Sequence, residues 1–552
     1  MALRDVQSAP SAWRQFTFFD AVHVKDVHDL ANDPEIFKKT PEFSCITHTT
    51  LGTAIADIHG SLYTLNRDFE MSRSWVAHSS GRVTHMAERK GILVTLGEED
   101  SVRQPLLKVW DLNAVDKKTN GPVLLRSTKV QVGNRPHPVT SIALSHGLAY
   151  LAVGLGDGTV ILYRHLDQSI FSGGSTLTAI PKPRTIHESP AEPITGLGFR
   201  EPDDENPNMH LFIVTTNRVL CYQASGRGSG GSPALVDEVG CALGCASMDW
   251  HAMNMLVARD EAVYACGLES RGASYAYEGQ KISIHTHRNY LVIISPPFSP
   301  SGSAASATVR NFAARNTDAS AEITKVTILD LENKFIAFSN TFTEGVREVF
   351  SAFDEVYLLA NSGKLTCLEE KSTSTKLSML YSKSQFPLAL SLAKTQGLDA
   401  SHVADIHRQY GDHLYNKAEY DGATQQYVKT IGHAQPSFVI RKLLDAQRIH
   451  NLASYLQELH TQGLANSDHT TLLLNTYTKL KDVARLDSFI KTESKRSSEG
   501  DKNELPFDLD TAIRVCRQAG YFDHASYLAK KYERHEITCK SKLRTQETIK
   551  MH

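Results

Sequence analysis

One feature limits what this chain can fold into more than any other: its hydrophobic rhythm changes near residue 371. Before that point, apolar and polar residues alternate in short runs that end in polar turns, the period of half-buried strands. Beyond it, apolar residues recur at i, i+3, i+4 and i+7, the period of a helix with one buried face. At 552 residues the chain is too long for one ordinary core, so two domains or a repeat array are expected.

The clearest strand pair is LAYLAVGLGDGTVILY, 148–163, where the turn Gly156-Asp157-Gly158 separates two alternating runs. Glycine and aspartate tolerate the positive φ of a tight hairpin. Six weaker copies follow the same plan: TAIADIHGSLYTL at 53–65, ILVTLGEED leading to LLKVWDL, LFIVTTNRVLCY at 211–222, MLVARDEAVYAC at 255–266, YLVIIS with KVTILDL, and VYLLANSGKLTCL at 356–368. Their second strands centre near Leu62, Val109, Val160, Val219, Val263, Val326 and Leu365. That spacing brackets the ~40–45 residues of a four-stranded propeller blade. A further strand precedes most hairpins, as in VTHMAE from Val83, VTSIALS from Val139, ITGLGFR from Ile194 and VREVF from Val346. The pattern predicts a seven-bladed, WD40-like β-propeller over 1–375. The opening run WRQFTFF, 13–19, is expected to pair with the last blade and close the ring, which leaves no long open edge. Two loops rich in Gly, Ser and Ala, 224–233 and 296–321, are expected to be mobile.

An α-helical solenoid of TPR-like or clathrin heavy-chain-like repeats is expected over 376–536. Its helices begin with FPLALSLAKTQGL, stopped by Gly397, and SHVADIHRQYGDHLYNK, for which Ser401 is the expected N-cap. They continue from Asp421, Pro436, His450, His469 and Val483, and resume as DLDTAIRVCRQAG and YFDHASYLAKKYERH after a charged break at 493–503. Ala389, Ala423, Ala453, Ala512 and Ala525 fall on the apolar faces, where small side chains let helices approach. The final segment, 537–552, loses the helical period.

The chain offers little that reads as reactive chemistry. Lys+Arg number 59 and Asp+Glu 61, so no global charge draws it to nucleic acid or anionic lipid. The start has no basic-then-apolar pattern of a secretory signal, and no run approaches the length of a membrane helix. Eight scattered cysteines read as reduced, mostly buried thiols of a cytosolic protein. Cys241 and Cys245 lack a second ligand pair at zinc spacing, and Cys516 shares a helical face with Ile513. Among 24 histidines, His402, His407, His433, His450 and His460 show no HExxH spacing. Gly154, Gly156 and Gly158 lead into a strand rather than the helix a phosphate loop requires. Glu98, Glu99 and Asp100 read as turn residues; Lys530, Lys531, Arg534 and 540–544 read as a solvated helix end. No catalytic, cofactor-binding or metal-ligating residue is expected, and the chain is not expected to be an enzyme. An enzyme with its reactive groups around the propeller's channel is the alternative from another class.

Specific stretches carry a family likeness: YGDHLYNKAEYDGATQQYVKTIG (410–432), PSFVIRKLLDAQRIHNLASYLQELH (436–460), LANSDHTTLLLNTYTKLKD (464–482) and TAIRVCRQAGYFDHASYLA (511–529). In the strand-rich part they include WRQFTFFD, LLKVWDL, AVGLGDGTV and YAYEGQKI. The sequence resembles the vacuolar protein sorting-associated protein 11 family, core subunits of the HOPS and CORVET tethering complexes, up to about residue 536. The resemblance implies a non-catalytic scaffold on the cytosolic face of late endosomes and the vacuole or lysosome. Its implied partners are other tethering subunits, with the membrane contacted indirectly and no nucleic acid bound. Another propeller–solenoid coat or transport scaffold is the alternative within this class. The family continues into more solenoid and a RING-type zinc domain that this sequence lacks. A shortened product is therefore expected, and no ubiquitin-ligase activity is assigned to it.

Overall fold

The computed structural model describes residues 13–117, 119, 121–131, 136–171, 180, 182–226, 229–296, 323–490, 509–518 and 520–531. The chain divides into two compact units, Met1–Ser372 and Thr373–His552.

The first unit is a seven-bladed propeller. Blade 1 runs outward from Phe43–Thr49 through Gly52–Asp57 and Ser61–Leu65 to Met71–Val76. Blades 2 to 5 repeat that order within 81–129, 139–187, 194–237 and 246–276. Blade 6 comprises Ser283–His287, Tyr290–Ser295, Thr324–Asp330 and Phe335–Phe342, and blade 7 starts with Val346–Ala352, Glu355–Ala360 and Leu365–Glu370. The innermost strand of each blade touches its counterparts on both sides, and the last touches the first, so the ring is closed. Middle strands are buried on both faces, as in Gly52–Asp57 and Tyr290–Ser295, and read as continuous apolar runs. Outermost strands such as Arg271–Ala276 are mostly exposed and carry little pattern.

The expected hairpin forms between Tyr150–Leu155 and Val160–Arg164. Gly158 takes φ +80°, and a Cβ there would lie 2.0 Å from the Ser189 carbonyl oxygen, so only glycine fits. YLVIIS and KVTILDL pair across a long insertion, in register from Tyr290↔Asp330 to Ser295↔Lys325. The loop 224–233 lies partly, and 296–321 almost wholly, outside the described residues.

Ring closure differs in detail from the expectation. The strand that completes blade 7 is Phe19–His23, antiparallel to Thr366 through Glu370, so it starts where the expected run ends. Arg14–Gln15 instead adds a short parallel strand to blade 6, opposite Phe335 and Ile336. Aromatic packing explains the split: Phe16 and Phe18 both lie against Phe335, with centroids 5.3 and 5.1 Å away, and anchor the run to blade 6. The Trp13 indole donates to the Ala276 carbonyl of blade 5, 2.5 Å away. One N-terminal strap thus crosses three blades. It also holds the end of the last strand, where Lys371 N–H donates to the Phe18 carbonyl at 2.8 Å.

Blade 2 contains a buried polar chain. The Trp110 indole N–H donates to Thr95 Oγ1 at 3.1 Å, and the same hydroxyl hydrogen-bonds His78 Nε2 at 3.0 Å. His78 Nδ1 faces Glu99 Oε1 at 3.5 Å, and Lys108 Nζ donates to that same carboxylate at 2.7 Å. Burial, with Lys108 adding to it, lowers His78 to about 4, so the ring stays neutral. Glu98 and Glu99 lie in the strand Ile92–Glu99, where cross-strand pairing puts them against Arg82 and Lys108, so of the three expected turn residues only Asp100 sits in the turn.

The second unit consists of helices with short connections. A helix missed by the sequence pattern, Thr373–Ser382, comes first; it buries Lys376, Leu377 and Leu380 but has little amphipathic contrast. Phe386–Thr395 follows and ends at Gly397, φ +62°. The next helix, Ala400–Asn416, is capped by Asp399 rather than Ser401, because the Asp399 carboxylate accepts the His402 N–H at 3.2 Å. Tyr420–Val428, Pro436–Asp445, Ile449–Thr461 and Ser467–Leu480 continue the series, the last opened by an Asn466–His469 capping box. Residues 483–490 are helical, and Leu509–Gln518 and Phe522–Lys531 form the last hairpin described. Ala389, Ala423, Ala453, Ala512 and Ala525 are all buried. Asp412 ties three helices together: its Oδ1 accepts from Tyr427 OH at 2.7 Å and from Lys442 Nζ at 2.6 Å. The break at 493–503 and the segment 537–552 lie outside the described residues.

Candidate interaction surfaces

The residues singled out in the sequence are dispersed. Cys241 and Cys245 are buried at the junction of blades 4 and 5, where burial raises Cys241 to about 12 and Cys245 in the same direction. Thiols so placed stay protonated and are poor nucleophiles. No group of three His, Cys, Asp or Glu side chains with metal-holding geometry occurs among the described residues. Cys516 and Ile513 are buried together in the helical core. His402 bonds to its own cap, His407 to Gln426, and His460 packs between Thr470 and Phe489. His433 and His450 are exposed, as is Lys530; Arg534 and 540–544 lie outside the described residues.

The propeller's channel is lined by the innermost strands. Ser351 Oγ lies 2.7 Å from His285 Nε2 and 2.8 Å from His287 Nδ1. Burial lowers His285 to about 4, and no carboxylate hydrogen-bonds either ring among the described residues. Glu348 faces the channel, where enclosure by protein raises its carboxyl to about 7; nearby Cys45 is pushed up to about 12. The two histidines and Cys45 are thereby favoured in their neutral forms, whereas Glu348 is divided between acid and carboxylate near neutral pH.

A cleft of about 360 Å³ opens at the junction of blades 4 and 5, lined by Thr216, Cys241, Arg259, Asp260, Glu261 and Lys281 among others. The Lys281 ammonium is caged by four backbone carbonyls, those of Arg259, Tyr277, Gly279 and Asp260, at 2.5, 2.7, 2.8 and 3.2 Å. Burial pulls its pKa down, while the carbonyls supply what water would. Lys281 therefore acts as an internal tie.

A different arrangement occupies the centre of one propeller face, where the turns between first and second strands rim the channel mouth. Arg89, in the turn of blade 2, places its guanidinium 5.5 Å from the ring centroid of Trp250, in the turn of blade 5. The contact reaches across the channel mouth. Asp249 Oδ1 shapes the blade 5 turn by accepting the His251 and Ala252 N–H groups, and Trp250 remains 45% exposed. The Arg89 guanidinium donates to the Glu88 carbonyl at 2.8 Å. The Glu88 carboxylate is buried and accepts the Gly91 N–H at 2.6 Å. Neighbouring turns contribute exposed Leu51 and the His48–Phe353 edge contact, centroids 5.3 Å apart. Burial holds His48 below the usual imidazole range. No local sequence signal marks these residues, since Arg89 and Trp250 meet only through the ring.

The chain matches two family models: PEP5/VPS11 N-terminal over residues 13–370 and PEP5/VPS11 Clathrin repeat over 415–550. The second reaches through most of the segment 537–552. Among curated proteins, the vacuolar protein sorting-associated protein 11 homolog of Homo sapiens is 39% identical over 551 residues, covering 96% of this chain and 55% of that protein. Homologs of the same name from Dictyostelium discoideum and Arabidopsis thaliana are 35% and 33% identical, covering 95% and 90% of this chain and 54% and 50% of theirs. The chain thus spans about half the length of these relatives. The first model covers the propeller from Trp13 of the strap to Glu370, the end of the strand the strap closes, and on that match the chain belongs to the PEP5/VPS11 family.

Proposed function

We propose that this chain acts as a non-catalytic scaffold in endolysosomal membrane tethering, as a subunit of a HOPS- or CORVET-type complex that supports vesicle docking and protein transport to the vacuole or lysosome. The observation that carries the reading is the extent of the family likeness, 39% identity across 96% of the chain to a protein named for vacuolar protein sorting. The architecture supports it. A closed propeller offers turn-rich faces, and paired helices offer a continuous docking surface, neither of which requires a reactive group. No helix among the described residues is long and apolar enough to cross a membrane. This fits a peripheral role on the cytosolic face of late endosomes and the vacuole or lysosome, with the bilayer reached through partner subunits. Expression of the tagged chain, followed by affinity purification and mass spectrometry, tests the proposal. Tethering subunits are expected to co-purify; recovery of clathrin-type coat components alone would refute it.

A further inference from the structure

We infer that the connection between blades 5 and 6 is a monovalent-cation site, built from four backbone carbonyls and filled from within by the Lys281 ammonium. The inference goes beyond the scaffold reading and does not depend on it.

Coordination supplies the first argument. Lys281 is 6% exposed, and its Nζ lies among the carbonyl oxygens of Arg259, Tyr277, Gly279 and Asp260 at 2.5, 2.7, 2.8 and 3.2 Å. An ammonium carries three protons, so four converging acceptors exceed what hydrogen bonding to it requires. They surround it as ligands surround an ion. The Tyr277 ring, with its centroid 5.4 Å from Nζ, adds an aromatic face to the cage. No carboxylate pairs with Nζ among the described residues. The nearby Glu261 carboxylate is taken up by Tyr264 OH at 2.9 Å and Arg259 Nε at 3.4 Å, and Asp260 is exposed. Neutral dipoles without a bound carboxylate suit a single positive charge. Calcium draws about six to eight oxygens, carboxylates among them, whereas rings of backbone carbonyls hold potassium.

Backbone geometry supplies the second. The four oxygens come from two segments, the turn at 259–260 of blade 5 and the connection at 277–279. These segments are also joined without the lysine. Gly279 N–H donates to the Asp260 carbonyl at 2.8 Å, and Tyr277 N–H donates to the Glu261 carbonyl at 3.3 Å. Gly279 takes φ +112°, a backbone that glycine adopts freely, although a Cβ there would meet nothing within 4 Å. The cage thus has supports of its own and keeps acceptors aimed at one point when the ammonium is removed. Buried carbonyls without a donor are costly, so an emptied cage takes a cation from solvent. The ion also fastens the floor of the neighbouring cleft, because the Cys245 thiol donates to the Lys281 and Ile282 carbonyls at 3.5 and 3.6 Å.

The test uses the full chain with Lys281→Ala, which empties the cage, and Lys281→Met, which fills the same space with an uncharged side chain. The propeller's thermal transition is followed at fixed ionic strength in the chlorides of ammonium, potassium, lithium and tetramethylammonium. In tetramethylammonium, too large for the cage, both variants are expected to melt about 5 °C or more below the unmodified chain. K281A should regain most of that loss in ammonium or potassium and little of it in lithium. K281M and the unmodified chain should show no such preference. Should K281A fail to fold in tetramethylammonium, its refolding yield in ammonium against tetramethylammonium is read instead, with the same expectation. Equal effects of all four salts, rescue of K281M alongside K281A, no rescue, or variants as stable as the unmodified chain would overturn the inference. None of these outcomes touches the scaffold reading, which stands or falls on the subunits that co-purify with the unmodified chain.

Discussion

The propeller and the helical unit each bury polar groups, but they use them on different scales. In blade 2 the chain Trp110–Thr95–His78–Glu99 lies between neutral groups and one shielded acid, and it locks one blade of a ring whose ends are joined by the N-terminal strap. In the helical unit, Asp412 joins Lys442 and Tyr427 from the two following helices, and the half-exposed charges link successive neighbours only. A ring transmits the loss of one member to all the others. A stack passes it mainly to the next repeat.

The sharpest way to break this comparison is to remove residues 13–23. The deletion takes away three buried aromatics, Phe16, Phe18 and Phe19, together with the strand that completes blade 7. The expected loss exceeds the ~5–15 kcal/mol that holds an ordinary domain. Calorimetry should show the propeller's transition abolished and a helical transition retained; survival of both would contradict ring-wide dependence.

Acid should separate the units next. His78 is held at about 4 against an ordinary 6.5, so the unfolded chain binds the extra proton between those values. Its contribution is complete above pH 6.5 and falls away as pH drops toward 4, by about 3 kcal/mol. Urea unfolding followed by tryptophan fluorescence should show this slope. His78→Gln should flatten it.

Two glycines sharpen the comparison. A Cβ at Gly97 would meet the His78 ring at 2.6 Å and the Arg82 carbonyl at 2.7 Å, whereas one at Gly411 would meet the Tyr427 ring at 2.6 Å. Each alanine substitution is expected to cost about 1–3 kcal/mol by overpacking. G97A should lower the whole propeller transition, while G411A should raise hydrogen exchange locally around the Asp412 knot. The smallest effect concerns buried hydroxyls without a partner among the described residues, Tyr163 in blade 3 and Tyr455 in the helical unit. Tyr163→Phe and Tyr455→Phe should each leave stability within about 1 kcal/mol, or raise it, by removing an unsatisfied group.

The sequence reveals the elements whose burial is one-sided or complete. Tyr150–Leu155 and Val160–Arg164 are legible because alternation and a glycine turn agree. The outermost strands, such as Arg271–Ala276, escape because exposure leaves their side chains unconstrained. Ser401 looks like a cap until Asp399, two residues earlier, competes with a carboxylate. The strap's division between blades 6 and 7 depends on Phe335, more than 300 residues away. Arg89 and Trp250 are hidden for the same reason: an interaction surface on a ring is assembled from turns with no memory of one another in sequence.

The strap also sets a schedule for synthesis. His23 bonds to Leu365, 342 residues later. At ~5–20 residues per second, the ribosome needs roughly 17–70 s to deliver the partner strand. Throughout that interval the nascent chain carries an aromatic segment with nowhere to pair, an evident client for chaperones.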